Sequence, residues 1–162
     1  MNGDIYEGNF IDGKRVGRGR YTYANGNIYE GDFVDGKKIG KGKFTYTSGD
    51  IYDGNWLNNQ KNGKGKFIFF NGDVFEGDWL DDKRTGIGKY TFADGNIYEG
   101  NFIEGKCFGK GIYLLKNGIV VKSDYVDGIR TGQAVVFYPE DVEVVFTKIE
   151  NVFNFLISKQ AR

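Results

Sequence analysis

The sequence has no histidine and only one cysteine (Cys107), one proline and one methionine in 162 residues. Without imidazole and with a single thiol, a zinc or thiolate metal site has no ligand set, and no Ser–His or Cys–His nucleophile can be assembled. A lone cysteine excludes an internal disulfide and gives no sign of an oxidising compartment. Net charge is also missing: 22 basic residues balance 22 acidic ones. No overall field therefore draws the chain to nucleic acid or to an anionic membrane. No apolar run approaches the ~20 residues that cross a bilayer, and no signal peptide opens the chain. These absences set the expectation of a cytoplasmic protein with no cofactor, no metal and no catalytic role.

What is plentiful is glycine (26 residues) and aromatic side chains (17%). Glycine-rich disordered chains are poor in aromatics, so this glycine reads as structural. The two occur together at a fixed spacing of 23 residues. Tyr6-Glu7-Gly8, Tyr29-Glu30-Gly31, Tyr52-Asp53-Gly54, Phe75-Glu76-Gly77 and Tyr98-Glu99-Gly100 repeat one motif, and Val121-Lys122-Ser123 is a worn sixth copy. Such a period means stacked units, each too small to bury an apolar face alone. Catalysis needs one special place, whereas a repeat offers many similar ones.

Each unit runs aromatic-acid-Gly-x-aromatic, then a polar loop, then Gly-x-Gly, then a short apolar stretch and a turn. The loop is expected over residues 12–16 in the first unit, before Gly17-Arg18-Gly19, and over 35–39 in the second, before Gly40-Lys41-Gly42. Period-two alternation on both sides of the loop predicts two short strands per unit, with no helical periodicity through residue 138. Parity selects the turn between units. A two-residue turn at Asn25-Gly26 would put Tyr21 and Tyr23 on the face opposite Tyr29. A three-residue loop, Ala24-Asn25-Gly26, pairs 23 with 27 and 21 with 29 and keeps the rings together, closed by a left-handed glycine.

The expected fold is therefore all-β: an elongated single-layer antiparallel sheet of six stacked hairpins over residues 1–138, with units starting near 6, 29, 52, 75, 98 and 121. At ~4.8 Å per strand, six units would span roughly 55–60 Å. One face should carry an aromatic ladder of Tyr6/Phe10, Tyr29/Phe33, Tyr52/Trp56, Phe75/Trp79 and Tyr98/Phe102, with Phe44/Tyr46, Phe67/Phe69 and Tyr90/Phe92 interleaved. The other face carries Glu7, Arg20, Glu30, Lys43, Asp53 and Lys66, a mixed, solvated surface.

The run from Tyr29-Glu30-Gly31-Asp32-Phe33 through Gly36-Lys37 to Gly40-Lys41-Gly42 resembles the MORN (membrane occupation and recognition nexus) repeat, and the resemblance covers about residues 3–138. Departures are local: Asn59 and Asp82 replace a loop glycine, both residue types that tolerate left-handed geometry, while Val121, Ser123 and Ala134 mark an atypical terminal unit. The resemblance implies a gently twisted scaffold of the kind found in cytoskeletal and ciliary assemblies and at membrane junctions or the cell cortex. The chain opens in mid-repeat, which fits either a natural start or the carboxyl-terminal part of a longer array.

Residues 139–162 depart from the repeat. Tyr138-Pro139-Glu140-Asp141 signals a turn, and residues 142–146 read as one more strand. Beyond it, Ile149, Val152, Phe153, Leu156 and Ile157 recur at three and four, predicting a short amphipathic helix. That helix has three readings: a cap over the end of the sheet, a contact for a second copy or partner, or a membrane-surface element.

Two binding functions follow from these residues. A contiguous aromatic stripe on a single layer marks an interaction site, suited to an amphipathic helix or extended segment of a partner protein. On this reading Tyr6, Phe10, Tyr29, Phe33, Tyr52, Trp56, Phe75, Trp79, Tyr98 and Phe102 contact the partner, with Trp56 and Trp79 as anchors. The rings could alternatively pack only with each other and with the tail. The second function is peripheral phosphoinositide binding through Lys14, Arg15, Lys37, Lys38 and Lys41, weakened by Asp12 and Asp35 in the same loops. Unpaired end strands add the expectation of a homodimer. Gly17-Arg18-Gly19 opens a strand, not a helix, and so lacks the context of a phosphate loop.

Overall fold

The computed structural model describes residues 3–139 and, further on, the short segments Glu143–Val144 and Ile157–Ser158. Twelve strands follow one another: β1 Ile5–Ile11, β2 Lys14–Thr22, β3 Ile28–Val34, β4 Lys37–Thr45, β5 Ile51–Leu57, β6 Gln60–Ile68, β7 Val74–Leu80, β8 Lys83–Thr91, β9 Ile97–Ile103, β10 Lys106–Leu114, β11 Val120–Val126 and β12 Ile129–Phe137. They form one antiparallel sheet in strict chain order, each strand hydrogen-bonded to its neighbours in sequence. The fold is all-β, and no helix occurs among the described residues.

The turns between units take the parity that was expected. Tyr21 pairs with Tyr29 and Thr22 with Ile28. Tyr23 N–H donates to the Asn27 carbonyl at 2.9 Å, and Gly26 has φ +85°. The turns within units are tighter than expected. Ile11 pairs directly with Lys14 across Asp12-Gly13, whose φ values are +49° and +73°. Two left-handed residues in a two-residue loop match the right-handed twist of the strands they join. Residues 14–16 and 37–39, expected in loops, are thus strand. Asn59 (φ +75°) and Asp82 (φ +68°) do adopt the left-handed geometry that their residue types tolerate.

Each Gly-x-Gly has two separate reasons for its two glycines. Gly8 pairs with Gly19 but Asn9 pairs with Val16, so β2 carries a bulge there, and Gly17 stands in it at φ +65°. Gly19 is needed for space, since a β-carbon there would lie 2.4 Å from the Tyr6 phenolic oxygen.

Neighbouring units are also tied at both ends. At one end, Asp4, Asn27, Asp50, Asp73 and Asn96 accept the backbone N–H of Ala24, Thr47, Phe70, Ala93 and Lys116 at 2.8–3.0 Å. At the other, the N–H groups of Gly36, Asn59, Asp82, Gly105 and Gly128 donate to the carbonyls of Arg15, Lys38, Lys61, Arg84 and Cys107.

Of the expected tail helix, Ile149, Val152, Phe153 and Leu156 lie outside the described residues. Ile157 is described, and there the backbone is strand rather than helix: Ile157–Ser158 (β14) pairs with Glu143–Val144 (β13).

Candidate partner-binding face

One face is built on a row of glycines. Gly8, Gly19, Gly31, Gly42, Gly54, Gly65, Gly77, Gly88, Gly100 and Gly111 lie side by side across ten strands. A Tyr or Phe from the first strand of each unit lies over two of them. A β-carbon at Gly54 would come 2.5 Å from the Tyr52 phenolic oxygen, and one at Gly65 would come 2.4 Å from it. The Tyr52 hydroxyl then donates to the Asn55 carbonyl at 2.9 Å.

Around this floor the rings of the first strands interlock edge to face. Tyr29 meets Phe33 of its own unit and Trp56 of the next, both at 5.2 Å between centroids, and Tyr52 meets Trp56 and Trp79 at the same distance. The zigzag continues through Phe75, Phe102 and Tyr98 to Tyr125, in the edge-on geometry that the ring quadrupole favours. The Trp56 indole N–H donates to the Gly42 carbonyl at 2.9 Å. These rings are the core: Phe33, Trp56, Trp79 and Phe102 are buried, and the series becomes exposed only at Phe10 on the first strand.

Over the zigzag lie long cationic side chains at the same 23-residue spacing. The Lys38 ammonium sits 4.4 Å from the Trp56 ring centroid and 4.7 Å from that of Phe44. Lys61 lies 5.2 Å over Trp79. Arg15 lies 4.5 Å over Tyr21, and Arg84 lies 5.4 Å over Phe75. Burial lowers the pKa of Lys38 to about 8, and that of Lys61 falls for the same reason. Ring faces partly compensate such a cation for its lost water. The residue at the next turn matches the cation. Arg15 and Arg84 donate to the carbonyls of Gly36 and Gly105 at 2.8 and 2.7 Å. Where the cation is lysine, the turn residue is Asn59 or Asp82, whose side chain accepts the backbone N–H of Lys38 or Lys61.

A second chain of rings comes from the second strands and keeps accessible surface. Tyr21, Tyr23, Phe44, Tyr46, Phe67, Phe69, Tyr90, Phe92 and Tyr113 touch in sequence at centroid distances of 4.5–6.0 Å, tilted rather than edge-on. All but Phe44 are half-buried.

The opposite face is a charge ladder. Glu7, Arg20, Glu30, Lys43, Asp53, Lys66, Glu76, Lys89 and Glu99 pair in that order across nine strands, with alternating sign throughout. Lys66–Glu76 and Lys89–Glu99 close to 3.3 and 3.8 Å. Beside the ladder runs a row of exposed aliphatics, Ile11, Val34, Leu57, Leu80, Ile103 and Val126. Ion pairs flank that row: Lys14–Asp35 at 3.3 Å, Lys83–Glu104, and Lys106–Asp127 at 3.5 Å.

The residues singled out from sequence therefore separate by burial. Of the ten rings assigned to a partner, Tyr29, Phe33, Tyr52, Trp56, Phe75, Trp79, Tyr98 and Phe102 are buried, Tyr6 is half-buried and Phe10 exposed. The basic residues assigned to a lipid head group do not share a side. Arg15 and Lys38 oppose Phe10 and Phe33 on the ring face, whereas Lys14 and Lys37 oppose Ile11 and Val34 on the other. Lys41 is exposed. The accessible stripe of second-strand rings was visible in the sequence only as the interleaved set.

A family model described as MORN repeat matches five consecutive segments of the chain: 6–28, 29–51, 52–74, 75–97 and 98–120. No individual curated protein matches it. Among solved structures, the SAS-4 (dCPAP) TCP domain of Drosophila melanogaster, in complex with a proline-rich motif of Ana2 (dSTIL), is 16% identical with a TM-score of 0.37, covering 76% of this chain and 80% of that one. The TCP10 domain of Danio rerio CPAP, in complex with a peptide of Danio rerio STIL, is 14% identical with a TM-score of 0.49, covering 86% of this chain and 81% of that one.

Proposed function

The chain belongs to the MORN-repeat family, and from that premise we propose that it is a non-catalytic scaffold that holds a segment of a partner protein against its ring face. One observation carries this reading: the aromatic stripe from Tyr21 to Tyr113, half-buried at every ring but the buried Phe44. Contiguous apolar surface of this kind is characteristic of interaction sites, and tyrosine and phenylalanine supply contact area with few rotors to freeze. The buried zigzag beneath it is the rigid support. A helix or an extended strand laid across the sheet would meet a ring pair in every unit.

Peripheral lipid binding has less support. The ladder on the opposite face alternates in sign from Glu7 to Glu99, and Lys14, Lys83 and Lys106 are paired with carboxylates. Little uncompensated positive charge is left for a phosphoinositide head group.

The test is affinity capture on the immobilised chain, comparing the wild type with Tyr46→Ser/Phe69→Ser on the stripe and Lys43→Glu on the ladder. The expected result is loss of captured protein with the stripe variant alone, both variants giving an unchanged circular dichroism spectrum. Equal capture by all three proteins overturns the reading. Flotation with phosphoinositide vesicles at physiological salt is expected to leave the protein in the unbound fraction.

A further inference from the structure

The series of cations over the rings has a gap. Arg15, Lys38, Lys61 and Arg84 fill the same place in four successive units, but in the fifth that place holds Cys107. A cysteine is too short to cross the rings, and a cavity of about 440 Å³ opens there. It is lined by the rings of Tyr90, Phe92, Tyr98, Phe102, Tyr113 and Tyr125, by Cys107, Gly105 and Gly128, and by the cations Arg84 and Lys106. Tyr98 also differs from its counterparts: the hydroxyls of Tyr6, Tyr29 and Tyr52 reach a backbone carbonyl. That of Tyr98 is buried without one and lies against the Cys107 thiol.

We infer that this cavity takes an arginine side chain from the partner, whose guanidinium occupies the position that the protein's own cation holds in the other units. The inference rests on the scaffold reading and names the side-chain chemistry of the partner. Two features of the molecule point to it. Each unit from the first to the fourth covers its rings with a cation of this chain, and Arg84 covers Phe102 and Tyr90 of this lining, so Phe92, Tyr98, Tyr113 and Tyr125 are the rings left complementary to positive charge. The residue at the next turn goes with the kind of cation in the four filled units. Arginine fills the place where the next turn holds glycine, as with Gly36 and Gly105, and lysine where it holds Asn59 or Asp82. The fifth unit has Gly128, whose carbonyl is the register equivalent of the two that accept from Arg15 and Arg84. Its planar fork makes arginine the better match to a carbonyl beside stacked rings.

The charges already present do not bar an incoming guanidinium. Arg84 is engaged with the Gly105 carbonyl and the rings of Phe75, Phe102 and Tyr90. Lys106 is paired with Asp127. The array already carries Arg15, Lys38, Lys61 and Arg84 one unit apart and Arg130, opposite Tyr125, at the sixth place, and a cation between Arg84 and Arg130 keeps that spacing.

The experiment is a two-dimensional NMR titration of the full chain with the blocked tripeptides acetyl-Gly-Arg-Gly-amide, acetyl-Gly-Lys-Gly-amide and acetyl-Gly-citrulline-Gly-amide. The citrulline peptide keeps the shape of the side chain without its charge. The expected result is saturable shifts centred on Tyr98, Cys107 and Tyr125, with the arginine peptide binding about tenfold more tightly than the citrulline peptide. The variant Cys107→Arg should fill the cavity from within, lose those shifts and melt at a higher temperature than the wild type. Cys107→Ala should bind like the wild type, which separates the cavity from any chemistry of the thiol. Absence of binding, equal binding of citrulline or of lysine, or unchanged binding by Cys107→Arg overturns the inference. Because the probe is a synthetic peptide, this result is independent of whether the stripe from Tyr21 to Tyr113 captures a protein.

Discussion

The Tyr52 ring lies flat over Gly54, so close that a β-carbon on the glycine would stand 2.5 Å from the phenolic oxygen. The sixth unit lacks both partners of this pair at once: Val121 replaces the ring and Ser123 and Ala134 replace the two glycines beneath it. A short side chain at one position makes room for a β-carbon at the other.

Gly54→Ala should therefore destabilise the array by about 1–3 kcal/mol, as overpacking does. Added to Tyr52→Val, the same change should cost less than it does alone, because the ring it collides with is gone. Chemical denaturation of the two single variants and the double variant measures the coupling. Additive effects would mean that the ring and the glycine are not in contact.

Trp56→Ala should cost about 3–5 kcal/mol, the range for an aromatic removed from a core. It removes edge contacts to Tyr29 and Tyr52, the hydrogen bond to Gly42, and the ring beneath Lys38. Phe69→Ala, in the half-buried stripe, should cost clearly less. Urea midpoints of the two variants give the comparison, and a smaller loss for Trp56→Ala would contradict the assignment of core and stripe.

The buried lysines and tyrosines give stability a maximum in mildly alkaline solution. Folded Lys38 loses its proton near pH 8, whereas the unfolded chain keeps it to about 10.5. Between those values the unfolded state binds more protons, so stability rises with pH. The phenols work in the other direction. Burial pushes Tyr46 and Tyr90 up to about 12 from an ordinary value of 10. Above pH 10 the unfolded state has lost protons that the folded state retains, and stability falls. Melting temperatures measured from pH 7 to 11 should rise and then drop, and Lys38→Met should flatten the rise.

The pairing of cation and turn residue should appear as a coupling energy. Lys38→Arg should be more favourable by about 0.5–1 kcal/mol in the Asn59→Gly background than in the wild type, because that background reproduces the arginine–glycine pairs Arg15–Gly36 and Arg84–Gly105. A double-mutant cycle on thermal or urea unfolding reads this directly. Zero coupling would remove the reason for assigning the cavity beside Cys107 to arginine.

Much of the fold is legible in the sequence because one unit is written repeatedly. The 23-residue period, the ring parity and the left-handed glycine at Gly26 together determine strand number, order and the register between units. The burial of the rings was harder to read. A ladder drawn on paper is flat, and nothing local to Phe33 or Trp56 says that Arg15 folds back across the one and Lys38 across the other. The basic residues were misgrouped for a more definite reason. Placing Lys37 and Lys38 in one flexible loop makes them a patch, but Asp35-Gly36 is itself a two-residue turn signature. Once the turn ends at Gly36, Lys37 and Lys38 are strand residues and must point to opposite faces. The gap at Cys107 was present in the sequence as a break in a cationic series, and its meaning needed the rings above which that series lies.

Strict chain order has a consequence for the size of the molecule. Since a strand bonds only to its neighbours in the sequence, a hairpin can be gained or lost at a boundary without re-registering any other. Span is then inherited as a count of units, and a change of one alters reach by a fixed step while leaving local chemistry intact. The protein is in this respect a graduated ruler, on which a mark such as the one at Cys107 records a particular distance along the scale.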